Sequence, residues 1–246
     1  MDLSGSALRI SRIDTLWTVV GQAHRAGGEV AAAQRQLLER YGGAARRYLL
    51  AATRNAEAAD ELFQDFAVRF LTGGLRGADP ARGRFRDFLK AVLYYMAADY
   101  HKKANKRPLP LNDDHPEPAA PPSASEQDAL FLASWRDELL GRSWSALQEA
   151  EQAGQPYFTV LRYRADHPDA SSQEMAERLS QELGRPLTAA GVRQTLHRAR
   201  ERFADLLLEE IAQALTDPTD EAIEAELIEL SLLEHCRPAL ERRSKT

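Results

Sequence analysis

Residues 59–70 read Ala-Asp-Glu-Leu-Phe-Gln-Asp-Phe-Ala-Val-Arg-Phe. Leu62, Phe63, Phe66 and Phe70 recur at three and four, which predicts a helix over roughly 56–72 with one apolar stripe. Asn55 is its candidate N-cap, and Gly73-Gly74 would stop it. Asp60, Glu61, Gln64, Asp65 and Val68 fall on the other side, a compact acidic and amide surface. Such a surface suits a basic groove on a partner. The plainer reading is a solvated face whose early acids favour the helix dipole.

The flanking sequence extends the same pattern. A helix is expected over roughly 31–52, with Leu37, Leu38, Tyr41, Tyr48 and Leu49 at helical spacing. Another is expected over roughly 84–104, on Phe85, Phe88, Leu89, Val92, Leu93, Met96 and Tyr100. Three helices with one stripe each can share a core. Six of the twelve prolines then fall between Pro108 and Pro122, a stretch that cannot continue a helix and reads as an extended acidic linker.

Beyond it, helices are expected over about 127–150 and 155–166, the second also readable as a strand from Tyr157 to Tyr163. Ser171-x-x-Glu174 is a capping box that opens a short helix to about 183. Gly184 ends that helix, and Thr188 can cap a long one over 189–214. Asp217-Pro218 starts a separate helix to about 235. Strict alternation is nearly absent, so the expected class is all-α. The expected layout is two helical domains, 12–107 and 127–213, joined by the linker 108–126 and followed by an extension, 214–246.

Charge divides the 246 residues more sharply than their overall net of −5 suggests. Residues 31–110 hold fifteen basic and eight acidic groups, a net of +7. Residues 111–154 hold two and nine, a net of −7. A basic module thus hides inside an acidic average. The single cysteine, Cys236, excludes an intrachain disulfide and gives too few ligands for a cysteine-based zinc site; it reads as a small buried residue, not a redox sensor. The six histidines are dispersed without metal-ligand spacing, and no phosphate-cradling glycine loop or nucleophile elbow occurs. No enzyme, cofactor or metal is therefore expected. No apolar run is long enough to span a bilayer, and Met1-Asp2-Leu3-Ser4 lacks the features of a secretory signal. The expectation is a cytoplasmic protein with no membrane partner.

The basic module concentrates its cations on the third helix and its approach. Arg82, Arg84 and Arg86 precede or open it; Lys90, Tyr94, Tyr95, His101, Lys102 and Lys103 follow. Cations neutralise phosphates, and interleaved aromatics can stack on unpaired bases. Further on, 171–202 resembles a helix-turn-helix, which would bring Arg193, Gln194 and Thr195 to base edges and Arg198, Arg200 and Arg202 to phosphates. Its turn, with Ser180–Leu187 between the helices, is long for the motif.

Together these residues resemble a bacterial RNA polymerase sigma factor of the sigma-70 family, extracytoplasmic-function (ECF) type. Ala59-Asp-Glu-Leu-Phe-Gln-Asp65 is similar to the acidic signature of region 2. Phe85–Leu93 through Asp99–Lys103 is similar to the promoter-reading helix that follows it. Gly191-Val-Arg-Gln-Thr-Leu-His-Arg-Ala-Arg-Glu-Arg-Phe203 resembles the recognition helix of region 4. The resemblance covers about residues 12–107 and 127–212, with both motifs in the family's order. Trp17-Thr18 and the Arg76–Phe85 segment look like planctomycete-type members.

The resemblance implies an initiation factor that binds core RNA polymerase and performs no bond chemistry itself. Asp60, Glu61, Gln64, Asp65 and Arg69 would dock on the clamp helices of the β′ subunit, with the β subunit also in contact. Arg82, Arg84, Arg86, Lys90, Tyr94, Tyr95, His101, Lys102 and Lys103 would bind and melt the −10 element of promoter DNA. Thr188, Arg193, Gln194, Thr195 and Arg198 would read the −35 element as duplex. An anti-sigma factor or other regulator is a further candidate partner. The sequence departs from the family in its long turn, in Thr195 where arginine is common, and in the extension 214–246. The alternative is a helix-turn-helix regulator that binds operator DNA without polymerase; it accounts for 171–202 but not for 56–107.

Overall fold

The computed structural model describes residues 28–72, 84–104, 121–151, 154–215 and 217–245. Among them all regular structure is α-helical, in nine helices. In chain order these are α1 (Gly28–Thr53), α2 (Ala56–Leu71), α3 (Phe85–Ala104), α4 (Ala124–Glu151), α5 (Tyr157–Asp166), α6 (Ser172–Glu182), α7 (Ala189–Ala214), α8 (Asp220–Glu229) and α9 (Leu233–Arg243). Two compact units emerge: residues 1–138 with 212–222, and residues 139–211 with 223–246.

The first unit is built on α1. Tyr41, Ala44, Ala45, Tyr48, Leu49 and Ala52 recur at three and four and are all buried. A two-residue joint, Arg54-Asn55, separates α1 from α2, with Arg54 in the left-handed region at φ 53°. Asn55 caps α2 as expected: its side chain accepts from the Ala58 amide at 3.0 Å. From α3 come Phe85, Leu89, Leu93, Met96 and Ala97, all buried.

The fourth wall comes from α4. Gln127, Phe131 and Trp135, four apart, form one buried stripe. Trp135 stacks on Tyr41 at 4.8 Å with the rings 8° from parallel, and Phe131 meets Tyr48 edge-on at 5.7 Å. Tyr48 Oη donates to Gln127 Oε1 at 2.9 Å, and Gln127 Nε2 donates to the Pro122 carbonyl at 3.0 Å. Residues 124–138 thus belong with the first unit, whereas the expected second domain began at 127. Nothing in composition marks this division, because it falls inside one continuous helix. Most of the expected linker, 105–120, lies outside the described residues, as does 12–27.

The second unit packs α5, α6, the C-terminal half of α4 and most of α7 around Leu147, Val160, Leu161, Met175, Leu179, Val192 and Leu196. Trp144 bridges them, meeting Phe203 at 4.8 Å and Phe158 edge-on at 5.9 Å. The ambiguous 157–163 segment is helical: Glu151 accepts from both the backbone and the hydroxyl of Thr159, which satisfies the start of α5. The capping box at α6 is complete in both directions, Ser171 Oγ with Glu174 N and Ser171 N with the Glu174 carboxylate.

The extension differs from expectation by one break. The helix expected from 218 to about 235 ends at Glu229 and restarts at Leu233. Ser231, at φ 57°, donates to Ile228 O at 3.0 Å, while Leu232 donates to Leu227 O at 2.8 Å. This pair of bonds is a Schellman C-cap, formed without glycine. Ile223, Leu227, Leu230 and Leu232 are buried, but Ile228 is exposed and Glu234 belongs to the next helix.

Candidate protein and nucleic-acid interfaces

Three exposed surfaces correspond to the residues singled out by sequence. On α2, Phe66 and Phe70 are buried and Leu62 and Phe63 are half-buried, so the opposite side faces solvent. Glu61, Gln64, Asp65 and Arg69 are exposed there, Asp60 is half-buried, and Val68 is 58% exposed. The acidic surface is partly neutralised within the chain. Asp60 accepts from Arg46 Nε at 2.7 Å, and that bond and its charge raise the Arg46 pKa further above its ordinary value. Asp65 pairs with Arg69 one turn on at 2.6 Å. Glu61 and Gln64 have no hydrogen-bond or ion-pair partner among the described residues.

On α3 the predicted cations separate into two groups. Lys90, Tyr94, Tyr95, Lys102 and Lys103 reach the surface, and Tyr95 is 72% exposed. Tyr94 meets Tyr95 edge-on at 5.9 Å. Lys90 pairs with Asp128 at 2.8 Å. Lys103 pairs with Asp99 at 2.7 Å, and this hydrogen bond holds the Asp99 carboxyl below its usual range. Half-buried Arg84 bonds Asp87 at 3.0 Å.

Arg86 and His101 correct the expectation. Arg86 is only 4% exposed and His101 only 8%. The His101 ring places Nε2 3.0 Å from the Ala52 carbonyl on α1. A carbonyl can only accept, so Nε2 carries the proton and donates. Both side chains serve the packing of α3, not its outer surface. Arg82 lies outside the described residues.

The third surface lies on α7. Thr188 caps the helix, its Oγ1 accepting from Gly191 N at 3.0 Å. Val192, Leu196 and Ala199 are buried, which turns Arg193, Gln194, His197 and Arg198 outward, with Thr195 half-buried at the border. Arg193, Arg198 and Arg200 have no ion-pair partner among the described residues. Two devices organise the long turn. Gly184 takes a left-handed conformation at φ 63°. Ser180 Oγ accepts from Leu187 N at 2.8 Å while donating to the Ala176 carbonyl.

Sequence reading missed one contact on this helix. Arg242 of α9 reaches Glu201 at 3.3 Å and Asp205 at 2.9 Å, both on α7. The available signal was the pair of acids four apart, interrupting a run of arginines. Cys236, on the same α9, is buried, and burial pushes its thiol up from 9.0 to about 11.

Among the described residues no group of three or more His, Cys, Asp or Glu is arranged to hold a metal ion. Nor is any described helix long and apolar enough to cross a membrane. No family model matches the chain, and no curated protein or solved structure matches it either.

Proposed function

We propose that the chain is an ECF-type sigma factor, a promoter-specificity subunit that acts with core RNA polymerase and makes or breaks no bonds itself. The observation that carries this reading is one pairing. An exposed acid and amide surface on α2 is followed, in the same compact unit, by an exposed lysine and tyrosine surface on α3. A protein that must grip a basic protein groove and a DNA strand together needs both surfaces close in the chain.

Glu61, Gln64, Asp65 and Val68, with Asp60 and Arg69 at the border, would dock on the polymerase. Two of these acids already hold arginine partners, so docking exchanges intrachain pairs for intermolecular ones. Lys90, Tyr94, Tyr95, Lys102 and Lys103 would hold the melted −10 strand by phosphate neutralisation and base stacking. Arg193, Gln194 and Arg198 would read the −35 duplex in the major groove, since arginine pairs with guanine and glutamine with adenine.

The test is a pull-down of bacterial core RNA polymerase with wild type and an Asp60→Arg/Asp65→Arg variant. Wild-type capture that the reversal abolishes supports the reading. Failure of the wild type to bind a competent core enzyme refutes it. Tight duplex binding without polymerase would then favour an operator-binding regulator built on α6 and α7.

A further inference from the structure

We propose that the C-terminal helix α9 belongs to the duplex-binding surface of α7, with Arg242 as the residue that makes that surface cationic; this rests on the reading of α7 as a DNA-facing helix. The outward side of α7 carries Arg193, Gln194, His197 and Arg198, and then turns acidic at Glu201 and Asp205. Glu201 is three residues beyond Arg198, about 4.5 Å along the helix axis. That is well within a Debye length of about 8 Å at physiological salt, so a bare carboxylate there would repel any phosphate held by Arg198.

The guanidinium of Arg242 removes this field by spanning both acids, NH1 at 3.3 Å from Glu201 and NH2 at 2.9 Å from Asp205. His197 stands on the other side of Glu201, its Nε2 3.7 Å from the carboxylate. A planar fork with two separate donor nitrogens can serve two carboxylates at once, which a lysine ammonium does less well. The helix that supplies Arg242 is anchored, because Cys236, Ala239 and Leu240 are all buried. A helix held only to shield the fold would not need its last turn aimed at the acids of α7. Lys245, also exposed, lies three residues beyond Arg242 in the C-terminal turn.

The role assigned to Arg242 is that of a positioning residue: it acts on phosphates through Glu201 and Asp205. The experiment uses the full chain and a fluorescein-labelled random-sequence duplex, with affinity followed by anisotropy from low to high salt. Arg193→Ala serves as the reference for α7 itself. Arg242→Gln should weaken binding about three- to fivefold near 0.1 M salt, and the loss should shrink as salt rises. Arg242→Lys should retain much of the affinity. Adding Glu201→Gln and Asp205→Asn to Arg242→Gln should restore wild-type affinity, which a merely structural role would not do.

If Arg193→Ala weakens binding while Arg242→Gln leaves it unchanged, the inference falls and the reading of α7 stands. A loss in Arg242→Gln that the two neutral acids fail to restore also overturns it. Binding that ignores Arg193→Ala, or no duplex binding by wild type, removes the reading of α7 and the inference with it.

Discussion

Replacing Tyr48 by Phe tests whether residues 124–138 are built into the first unit. Tyr48 is buried, and its hydroxyl donates to Gln127 Oε1 at 2.9 Å; Gln127 is itself only 6% exposed. Burial also raises the Tyr48 phenol above its ordinary value, with help from Tyr94 and Asp128, so it is a donor at neutral pH. The substitution removes one oxygen and creates almost no cavity. Its cost is that of the desolvated Gln127 carbonyl left without a donor, about 1–3 kcal/mol. A loss of about 2 kcal/mol is expected, or about thirtyfold in an opening equilibrium.

Amide hydrogen exchange on the full chain is the assay, because it reads α1 and residues 124–138 separately from the second unit. Protection in both segments should fall together, while α5 and α6 stay unchanged. Gln127→Met should cost a similar amount, since it strands the Tyr48 hydroxyl and the Pro122 carbonyl. The double variant should then be less damaged than the sum, by about 1 kcal/mol or more. Unchanged exchange in 124–138 for Tyr48→Phe, or strict additivity in the cycle, would refute the bond and the assignment of this segment.

Three further outcomes are expected. The buried Cys236 thiol is raised from 9.0 to about 11, so the stability it contributes is present below about pH 9 and lost as pH rises toward 11, where the unfolded chain releases its proton first. The total is about 2–3 kcal/mol; urea titrations at pH 8 and near pH 10 should show it, Cys236→Ala should reduce it, and iodoacetamide should label the folded chain far more slowly than the unfolded one. Gly184→Ala should destabilise the second unit by about 1 kcal/mol through its left-handed backbone, where open space surrounds the added methyl, and a thermal melt reads the loss. Lys102→Ala should reduce the salt slope of single-strand binding by about 0.7, whereas His101→Ala should leave that slope alone and destabilise the first unit instead.

Much of the helical framework was legible because local signals agreed. The N-caps at Asn55 and Thr188 and the box at Ser171 each satisfy backbone donors that no tertiary context can supply more cheaply, so their residue types announce themselves. The Ser231 break was not legible, since serine carries no strong preference for a left-handed backbone. The allocation of α4 was hidden for another reason. Its stripe at Gln127, Phe131 and Trp135 mixes a polar residue with two aromatics, and the amide finds its partners only on Tyr48 and Pro122. Burial of an amide follows from a partner far away in sequence, which periodicity does not report.

The candidate site shows where charge is a poor guide. By residue type Arg86 and His101 belong with the exposed cations, since such groups are costly to bury alone. Yet the spacing from Arg86 through Leu89, Leu93 and Ala97 to His101 is three and then four throughout, so both lie on the buried stripe of α3. Periodicity held the correct answer, and residue type overruled it. For His101 the reconciling fact is the Ala52 carbonyl, one of the last on α1, whose orphaned acceptor offers a buried imidazole its hydrogen bond. Lys90 and Tyr94 sit to one side of that stripe and Tyr95 and Lys102 beyond it, at the surface. A cation at a stripe position three or four residues from buried leucines is therefore better read first as a strut between helices. Only cations off the stripe, such as Lys102, are available to meet a phosphate.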